Sequence, residues 1–202
     1  DVAVTSTATE LNLLDGKAAA NLALTGKEAG TNFTNSLLVG HSTTGTLSGS
    51  HSNTGVGVYA LDALTSAAQN TAVGLSAGSA ITSGASNTAL GSGALTTSST
   101  TSHNTAIGRQ SLKLTTGTGN TALGRDAGEI IAAGSYNICI GKDAGDNITS
   151  GDSNVIIGSI DAGSATGDKQ LIIADGEDGS VKWISGDSSG NVIHAGTTHA
   201  AG

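Results

Sequence analysis

Five histidines and a spaced set of aspartates are the residues of this chain whose types could do chemistry. The histidines are His41, His51, His103, His194 and His199. No acid or nucleophile recurs beside them, as a nucleophilic site would require. Asp126, Asp143 and Asp161 lie at comparable intervals, and a glycan-cleaving site uses a pair of carboxylates. A repeat places acids in register without any chemistry, so solvated charge is the simpler interpretation and we predict no enzyme.

Metal binding is the second chemistry to consider. His51 and His103 each lie shortly before an Asn, and on a threefold axis one His would supply three ligands. Neither belongs to the closely spaced pair typical of a dedicated metal site. The acidic segment DGEDGS at 175–180 lacks the full spacing of an EF-hand loop, so a tight hairpin turn is favoured there. We therefore predict neither a metal nor a cofactor.

Composition narrows the class of partner. The net charge of −8 at pH 7 disfavours nucleic acid and anionic membrane as binding surfaces. No apolar run approaches the roughly 18 residues of a membrane-spanning helix, so we predict no membrane insertion. One Trp, two Tyr, one Phe and no Met cannot build a conventional mixed core for 202 residues. Because the chain begins at Asp1, we expect a fragment, a processed form or the ordered part of a longer protein.

A short motif repeats along most of the chain and sets the position of every residue named so far. It reads NTAVG at 70–74 and NTALG at 87–91, and its seven copies begin 17, 17, 17, 16, 17 and 17 residues apart. The copies begin at Asn53, Asn70, Asn87, Asn104, Asn120, Asn137 and Asn154, and end at Gly57, Gly74, Gly91, Gly108, Gly124, Gly141 and Gly158. SLLVG at 36–40 and QLIIA at 170–174 are degenerate copies, as terminal repeats often are.

The period predicts the fold class. A unit of 17 residues with one four-residue β-type run is too short for two helices and has the size of one turn of a narrow solenoid. The sequence therefore predicts an all-β protein, a parallel β-solenoid or β-roll of about 17-residue coils. Equivalent residues would stack about 4.8 Å apart, so about nine coils would form a rod about 40 Å long.

Each motif position predicts a column of stacked side chains. The aliphatic column, which we assign to the interior, is Val56, Val73, Leu90, Ile107, Leu123, Ile140 and Ile157. The opposite face carries mostly small residues that permit close approach: Gly55, Ala72, Ala89, Ala106, Ala122, Cys139 and Ile156. A further aliphatic follows later in most units: Leu64, Ile81, Leu114, Ile131 and Ile148. We expect the Asn amides to bond backbone groups at a corner, and the motif Gly to adopt positive φ where the chain turns.

The pattern divides the chain into three segments. They are an N-terminal helix and lead-in segment over 1–35, the repeat solenoid over 36–174, and a C-terminal β-meander, cap and tail over 175–202. Thr7 and Glu10 have the spacing of a capping box and predict a short helix over 5–16. Short strands alternating with Gly/Asp turns predict the antiparallel C-terminal meander. Cys139 stands where preceding copies have Ala, which predicts a small buried hydrophobe.

The sequence also predicts self-association. Each coil orders 17 residues but buries only about three aliphatics, so a slender solenoid needs a second burial surface. The small-residue face or the remaining apolar columns would supply it. This argument from buried area does not fix the number of copies that associate.

Three features together resemble the tail fibres of tailed bacteriophages: the repeated NTAxG with a small residue three places on, TATELNLLDG at 7–16, and SVKWISGDSSGNV at 180–192. The repeat is also similar to the head repeats of trimeric autotransporter adhesins, whose unit is shorter. The resemblance covers almost the whole chain and implies an elongated, parallel homotrimeric fibre. It implies a virion, extracellular location and a structural, host-adhesion role. The implied partners are other copies of the chain, other virion tail proteins, and a bacterial surface glycan or protein receptor.

Several alternatives stay open at this point. A bacterial trimeric surface adhesin head would use the same repeat, and a glycan-cleaving tailspike would use the same rod. The Thr column of the motif is similar to that of ice-binding solenoids, but it turns into Ile138 and Val155. Trp183 and Lys182 are candidate receptor contacts, although packing is the simpler interpretation for the scattered aromatics Trp183, Tyr59 and Tyr136.

Overall fold

The computed structural model describes residues 26–30, 33–40 and 47–194, and these form a single sheet of thirteen strands wound into a solenoid. This part of the chain is all-β and contains no helix, so none that could cross a membrane. The helix predicted over 5–16 lies outside the described residues. The predicted β-solenoid class is confirmed.

Strands of only two to seven residues carry the fold. The first two are β1, Gly26–Gly30, and β2, Phe33–Val39, which pair antiparallel. The solenoid continues with β3 (Ser50–His51), β4 (Thr54–Val56), β5 (Thr71–Val73), β6 (Thr88–Leu90), β7 (Thr105–Ile107), β8 (Thr121–Leu123), β9 (Ile138–Ile140), β10 (Val155–Ile157) and β11 (Leu171–Ala174). The last two are β12, Lys182–Gly186, and β13, Val192–His194.

Equivalent motif residues stack directly on one another. Thr71 pairs with Thr88 and Ala72 with Ala89, and the same parallel register runs from β2 through β4–β11. These nine parallel strands delimit eight turns, one fewer than the nine coils predicted. The register follows from the period, because each strand meets its own copy one coil later.

The solenoid interior is lined by the small residues of the motif, which corrects the assignment made from the sequence. Ala72, Ala89, Ala106, Ala122 and Cys139 are buried, whereas Val56, Leu90 and Leu123 are 39%, 45% and 47% exposed. Side chains alternate across a strand, so the residues on either side of the buried Ala must point outwards. The predicted aliphatic column is therefore an outer surface, and the small-residue face is closed inside the coil.

In five of the coils, two positions on the far side fill the interior by compensating for one another in size; in the Asn53 coil both Leu61 and Leu64 are buried, and the inner strand residue is Gly55. In the coils that begin at Asn70, Asn120 and Asn137, a glycine (Gly78, Gly128, Gly145) precedes a buried Ile three residues on (Ile81, Ile131, Ile148). In the coils that begin at Asn87 and Asn104, a buried Leu is followed by a buried hydroxyl residue: Leu95 by Ser98, and Leu112 by Thr115. Leu114, predicted for the interior, lies one residue before the inward-facing Thr115, at the position of Ile130 in the next coil, and is 41% exposed, as Ile130 is at 38%.

The motif asparagines form a continuous buried ladder. Asn87 Oδ1 accepts the backbone N–H of Asn104 at 3.0 Å, while Asn87 Nδ2 donates to Asn70 Oδ1 at 3.0 Å and to the carbonyl of Thr101 at 2.9 Å. Ser36 Oγ begins the ladder and Gln170 ends it. The prediction that the amides bond backbone groups at a corner is confirmed. Each ladder amide is bonded by the coils before and after it as well as by its own coil, so every coil depends on the next.

The motif glycines hold the corner that follows each strand. Gly91 has φ +135°, and a methyl group added there would stand 2.5 Å from the carbonyl oxygen of Gly108 in the next coil. The same arrangement recurs at the other motif glycines, with φ between +114° and +143°. Positive φ was predicted here, and the close approach of the stacked backbones is a second reason for glycine.

The C-terminal end leaves the solenoid as an antiparallel meander, as predicted. β12 pairs antiparallel with β11, and β13 with β12. The DGEDGS segment is the turn between β11 and β12, where Asp175 accepts backbone N–H groups from Val181, Asp178, Gly179 and Glu177. These hydrogen bonds lower the pKa of Asp175 to about 2.

Candidate functional site

The most prominent surface of the described chain is a flat, uncharged strip along the whole solenoid, which we call the outer strip. It consists of two columns of outward-facing residues. The first column is Leu37, Thr54, Thr71, Thr88, Thr105, Thr121, Ile138, Val155 and Leu171; the second is Val39, Val56, Val73, Leu90, Ile107, Leu123, Ile140, Ile157 and Ile173. All of them are half-buried or exposed. Apolar surface arranged in one contiguous band is typical of an interaction site.

The short strands explain why this strip is regular. β-branched Thr, Val and Ile favour extended backbone, and three residues are enough because each strand is paired on both edges. The inner Ala anchors the strand against the core, so its two neighbours are held at fixed spacing. The strip is thus a rigid feature of the solenoid, repeated at the strand separation of about 4.8 Å.

A ladder of charged side chains links three consecutive coils. Arg109 pairs with Asp126 of the next coil at 3.0 Å, and Arg125 with Asp143 of the next at 3.2 Å. Arg125 also contacts Asp126, and Lys142 contacts Asp143 at 3.1 Å. Two of the three aspartates considered for catalysis are therefore held in ion pairs between coils. The net charge of the later coils is in part neutralised within the chain.

Asp161, the third of these aspartates, lies in an acidic hollow with Asp146. The hollow has a volume of about 330 Å³ and is lined by Asp143, Asp146, Ser159, Ile160, Asp161 and Asp178. Burial raises the pKa of Asp146 to about 7, and so do its hydrogen bond to Asp161 and the nearby negative charges of Asp161, Asp143 and Glu129.

The histidines considered as ligands are not brought together. His51 lies in β3, whereas His103 occupies a left-handed position, φ +62°, directly before a motif Asn. Its structural equivalent three coils earlier is Ser52, with φ +57° directly before Asn53, rather than His51. Among the described residues, no group of three or more His, Cys, Asp or Glu is arranged to hold a metal ion. His41 and His199 lie outside the described residues.

The two candidate receptor contacts lie on the C-terminal meander. Trp183 is 55% exposed, and Val181, two residues before it, is 53% exposed, so the packing favoured for Trp183 is not what the chain adopts. Lys182 is exposed in the same strand, where it pairs with Ala174 of β11. Tyr59 and Tyr136 are also exposed, at 50% and 63%. These aromatics are dispersed over the solenoid rather than gathered in one groove.

Cys139 has the buried position predicted for it. It replaces Ala in the inner column, and burial raises the pKa of its thiol to about 12. Such a thiol stays protonated at neutral pH and acts as a small apolar side chain.

Comparison with known proteins gives no relative: no family model, no curated protein and no solved structure matches this chain.

Proposed function

We propose that the chain is a structural and host-adhesion component of a phage tail fibre, a rigid homotrimeric rod that presents a receptor-binding end to the bacterial surface. The observation that carries this proposal is the outer strip, an uncharged band of Thr, Val, Leu and Ile along the full stack of coils. A catalytic or small-molecule site does not need such a band. A rod that associates with other copies of itself does need such a band.

The shape of the strip favours several copies around a common axis over a flat pair. Three residues per strand give a width of about 10 Å, and nine strands give a length of about 40 Å. The projected area of about 400 Å² is roughly half of what one partner buries in a standard interface. When three rods converge on one axis, each strip contacts two others and is shielded from water on both sides.

The mechanism of such a rod is length, stiffness and avidity. The Asn ladder and the stacked motif glycines tie every coil to its neighbours, so the solenoid keeps its shape along its axis. Three identical ends on one rigid support gain affinity through effective concentration even when each contact is weak. The exposed Trp183 and Lys182 are the residues we propose for receptor contact. The other proposed partners are virion tail proteins and a bacterial surface glycan or protein, at an extracellular location.

The test of the proposal is the molar mass and shape of the chain in solution. Light scattering combined with small-angle X-ray scattering should give an elongated particle with a mass near three times 19.4 kDa. A compact particle of 19.4 kDa would contradict it. Release of sugar from a bacterial surface polysaccharide by the purified chain would instead favour the glycan-cleaving tailspike. A membrane anchor in the parent gene would favour the bacterial adhesin head.

A further inference from the structure

The acidic hollow lies where three parts of the chain meet at the C-terminal end of the solenoid. The first is the turn at 143–146 of the Asn137 coil, the second is residues 159–161 of the Asn154 coil, and the third is the turn at 175–180 between β11 and β12. We call residues 159–161 the corner segment and residues 175–180 the C-terminal turn. Each of the three parts contributes at least one aspartate to the lining of the hollow.

Backbone contacts pack the corner segment against both of its neighbours. Gly145 of the Asn137 coil donates its N–H to the carbonyl of Ile160 at 2.8 Å. On the other side, Ser159 donates to the carbonyl of Asp175 at 3.0 Å. A Cβ added to Gly179 would stand 2.3 Å from the carbonyl oxygen of Ser159, so the backbones are in close contact there. If the corner segment separates from the Asn137 coil, the C-terminal turn therefore loses support as well.

Asp146 and Asp161 join the Asn137 coil to the corner segment through their side chains. The two carboxyls are linked by a hydrogen bond, and such a bond needs a proton on one of them. Loss of that proton replaces the hydrogen bond by repulsion between two like charges. Burial, this hydrogen bond and the nearby negative charges raise the pKa of Asp146 to about 7, so the pair loses its shared proton close to neutral pH.

The other charged groups around the pair do not compensate for a second negative charge. Asp143 is already paired with Lys142 at 3.1 Å and with Arg125 at 3.2 Å. Glu129 is likewise paired with Lys113 at 2.9 Å. Asp178 adds a further carboxyl from the C-terminal turn. Among the residues that the structure describes, no ion pair includes Asp146, Asp161 or Asp178.

We propose that the proton shared by Asp146 and Asp161 makes the end of the solenoid pH-sensitive: with it bound, the corner segment and the C-terminal turn are held against the Asn137 coil, and without it they open more often. The closed arrangement holds this proton more tightly than the open one. The free energy of opening therefore falls as pH rises from the ordinary pKa of an aspartate, about 3.9, towards about 7, and is constant above that.

The pH-sensitive contact has a consequence for the receptor-binding end. The meander that follows the C-terminal turn carries Trp183 and Lys182, so these two residues are held more firmly in acid than above neutral pH. This consequence rests on the proposed function, whereas the contact itself is a property of the single chain.

Hydrogen exchange followed by mass spectrometry on the full chain tests the inference. Exchange is measured at about pH 5.5 and about pH 8.5, and each rate is corrected for the pH dependence of exchange in free peptides. Peptides that contain the amides of Gly145 and Ser159 should exchange at least about fivefold faster at the higher pH after correction. Peptides from β4 to β6 of the same molecule are the internal reference and should change less than about twofold.

Two variants assign the effect to the carboxyl pair. Asp146→Asn keeps a side chain that can hydrogen-bond to Asp161 but does not titrate, so the exchange of the corner should change less than about twofold between the two pH values. Asp152→Asn is the matched control. Asp152 accepts the backbone N–H of Ser135 in the preceding coil at 2.7 Å and does not line the hollow, so this variant should keep the pH dependence of the parent.

Each outcome decides for or against the pair. A parent whose corner is equally protected at both pH values would overturn the inference, and so would an Asp146→Asn chain that keeps the pH dependence of the parent. If circular dichroism shows that Asp146→Asn does not fold, Asp161→Asn replaces it with the same expectation. None of these measurements depends on the number of associated copies, so failure here leaves the proposed fibre standing, and a monomeric chain leaves this inference standing.

Discussion

At the scale of single residues, the solenoid is held by backbone contact between stacked corners. The motif Gly combines two demands that only glycine meets: a φ near +130° and a neighbouring carbonyl where a Cβ would lie. The buried Asn before each strand adds a side chain whose donors and acceptor are all used, by the two adjacent coils and by the last residues of its own coil. These two residues explain why the motif begins with Asn and ends with Gly.

Gly91→Ala should destabilise the chain by roughly 2 to 4 kcal/mol, because it adds backbone strain at φ +135° to a clash with the backbone of Gly108. Gly176→Ala is the matched control, since a Cβ there meets nothing within 4 Å. Chemical denaturation measures both. Equal midpoints for Gly91→Ala and the parent would show that the stacked corners can move apart at little cost.

At the scale of one coil, the interior has room for one large aliphatic beside the inner Ala. The structure meets this limit in two ways, with Gly followed by Ile in some coils and Leu followed by a hydroxyl residue in others. Leu61, Leu95 and Leu112 accept positive φ, between +46° and +55°, to reach the position that glycine holds elsewhere. Filling the core therefore takes precedence over backbone preference in those coils.

The two solutions should be exchangeable as pairs but not singly. In the Asn120 coil, Gly128→Leu alone adds a side chain whose Cβ would lie only 2.8 Å from Ile131 Cδ1. Ile131→Thr alone leaves a cavity. The double variant reproduces the Leu112 and Thr115 pair of the preceding coil. A double-mutant cycle by thermal unfolding should give a favourable coupling of about 1 to 3 kcal/mol. Additive effects of the two substitutions would disprove size compensation.

At the scale of the whole molecule, the interior of the solenoid is closed to water, whereas its outer strip leaves aliphatic side chains exposed. The inner column is buried along its length, while the outer strip leaves Val56, Leu90 and Leu123 between 39% and 47% exposed. Stability within a coil and association between copies thus depend on neighbouring residues of the same strand. They can be separated by substitution.

Leu123→Asp should abolish association and leave the solenoid of the single chain folded, because Leu123 points outwards. Ala122→Asp, one residue earlier, places a charge in the closed interior and should unfold several coils together. Light scattering measures association, and circular dichroism measures the fold. If Leu123→Asp unfolds the chain and Ala122→Asp does not, the inside and outside of the strand have been assigned the wrong way round.

Much of this architecture was already determined by the sequence. The 17-residue period, the parallel register, the Asn ladder, the positive φ of the motif Gly and the buried Cys139 all follow from residues that repeat, because a repeat stacks each residue on its own copy. The antiparallel meander was readable from its Gly/Asp turns. The sequence also contains the pairing of Gly with Ile and of Leu with Thr, but only the packing shows that the two members of each pair share one interior space.

Only the tertiary structure decided which side of the strand is inside. Alternation along Asn87, Thr88, Ala89 and Leu90 puts Asn and Ala on one side of the strand and Thr and Leu on the other. Because Leu is the larger apolar side chain, its side was predicted to face the core, and that prediction is wrong. The coil is too narrow for Leu there, because the space opposite Ala89 is filled by Leu95 and the side chain of the buried Asn must also fit. The width of the coil interior is set by how the whole chain winds, so it cannot be read from the sequence of one repeat.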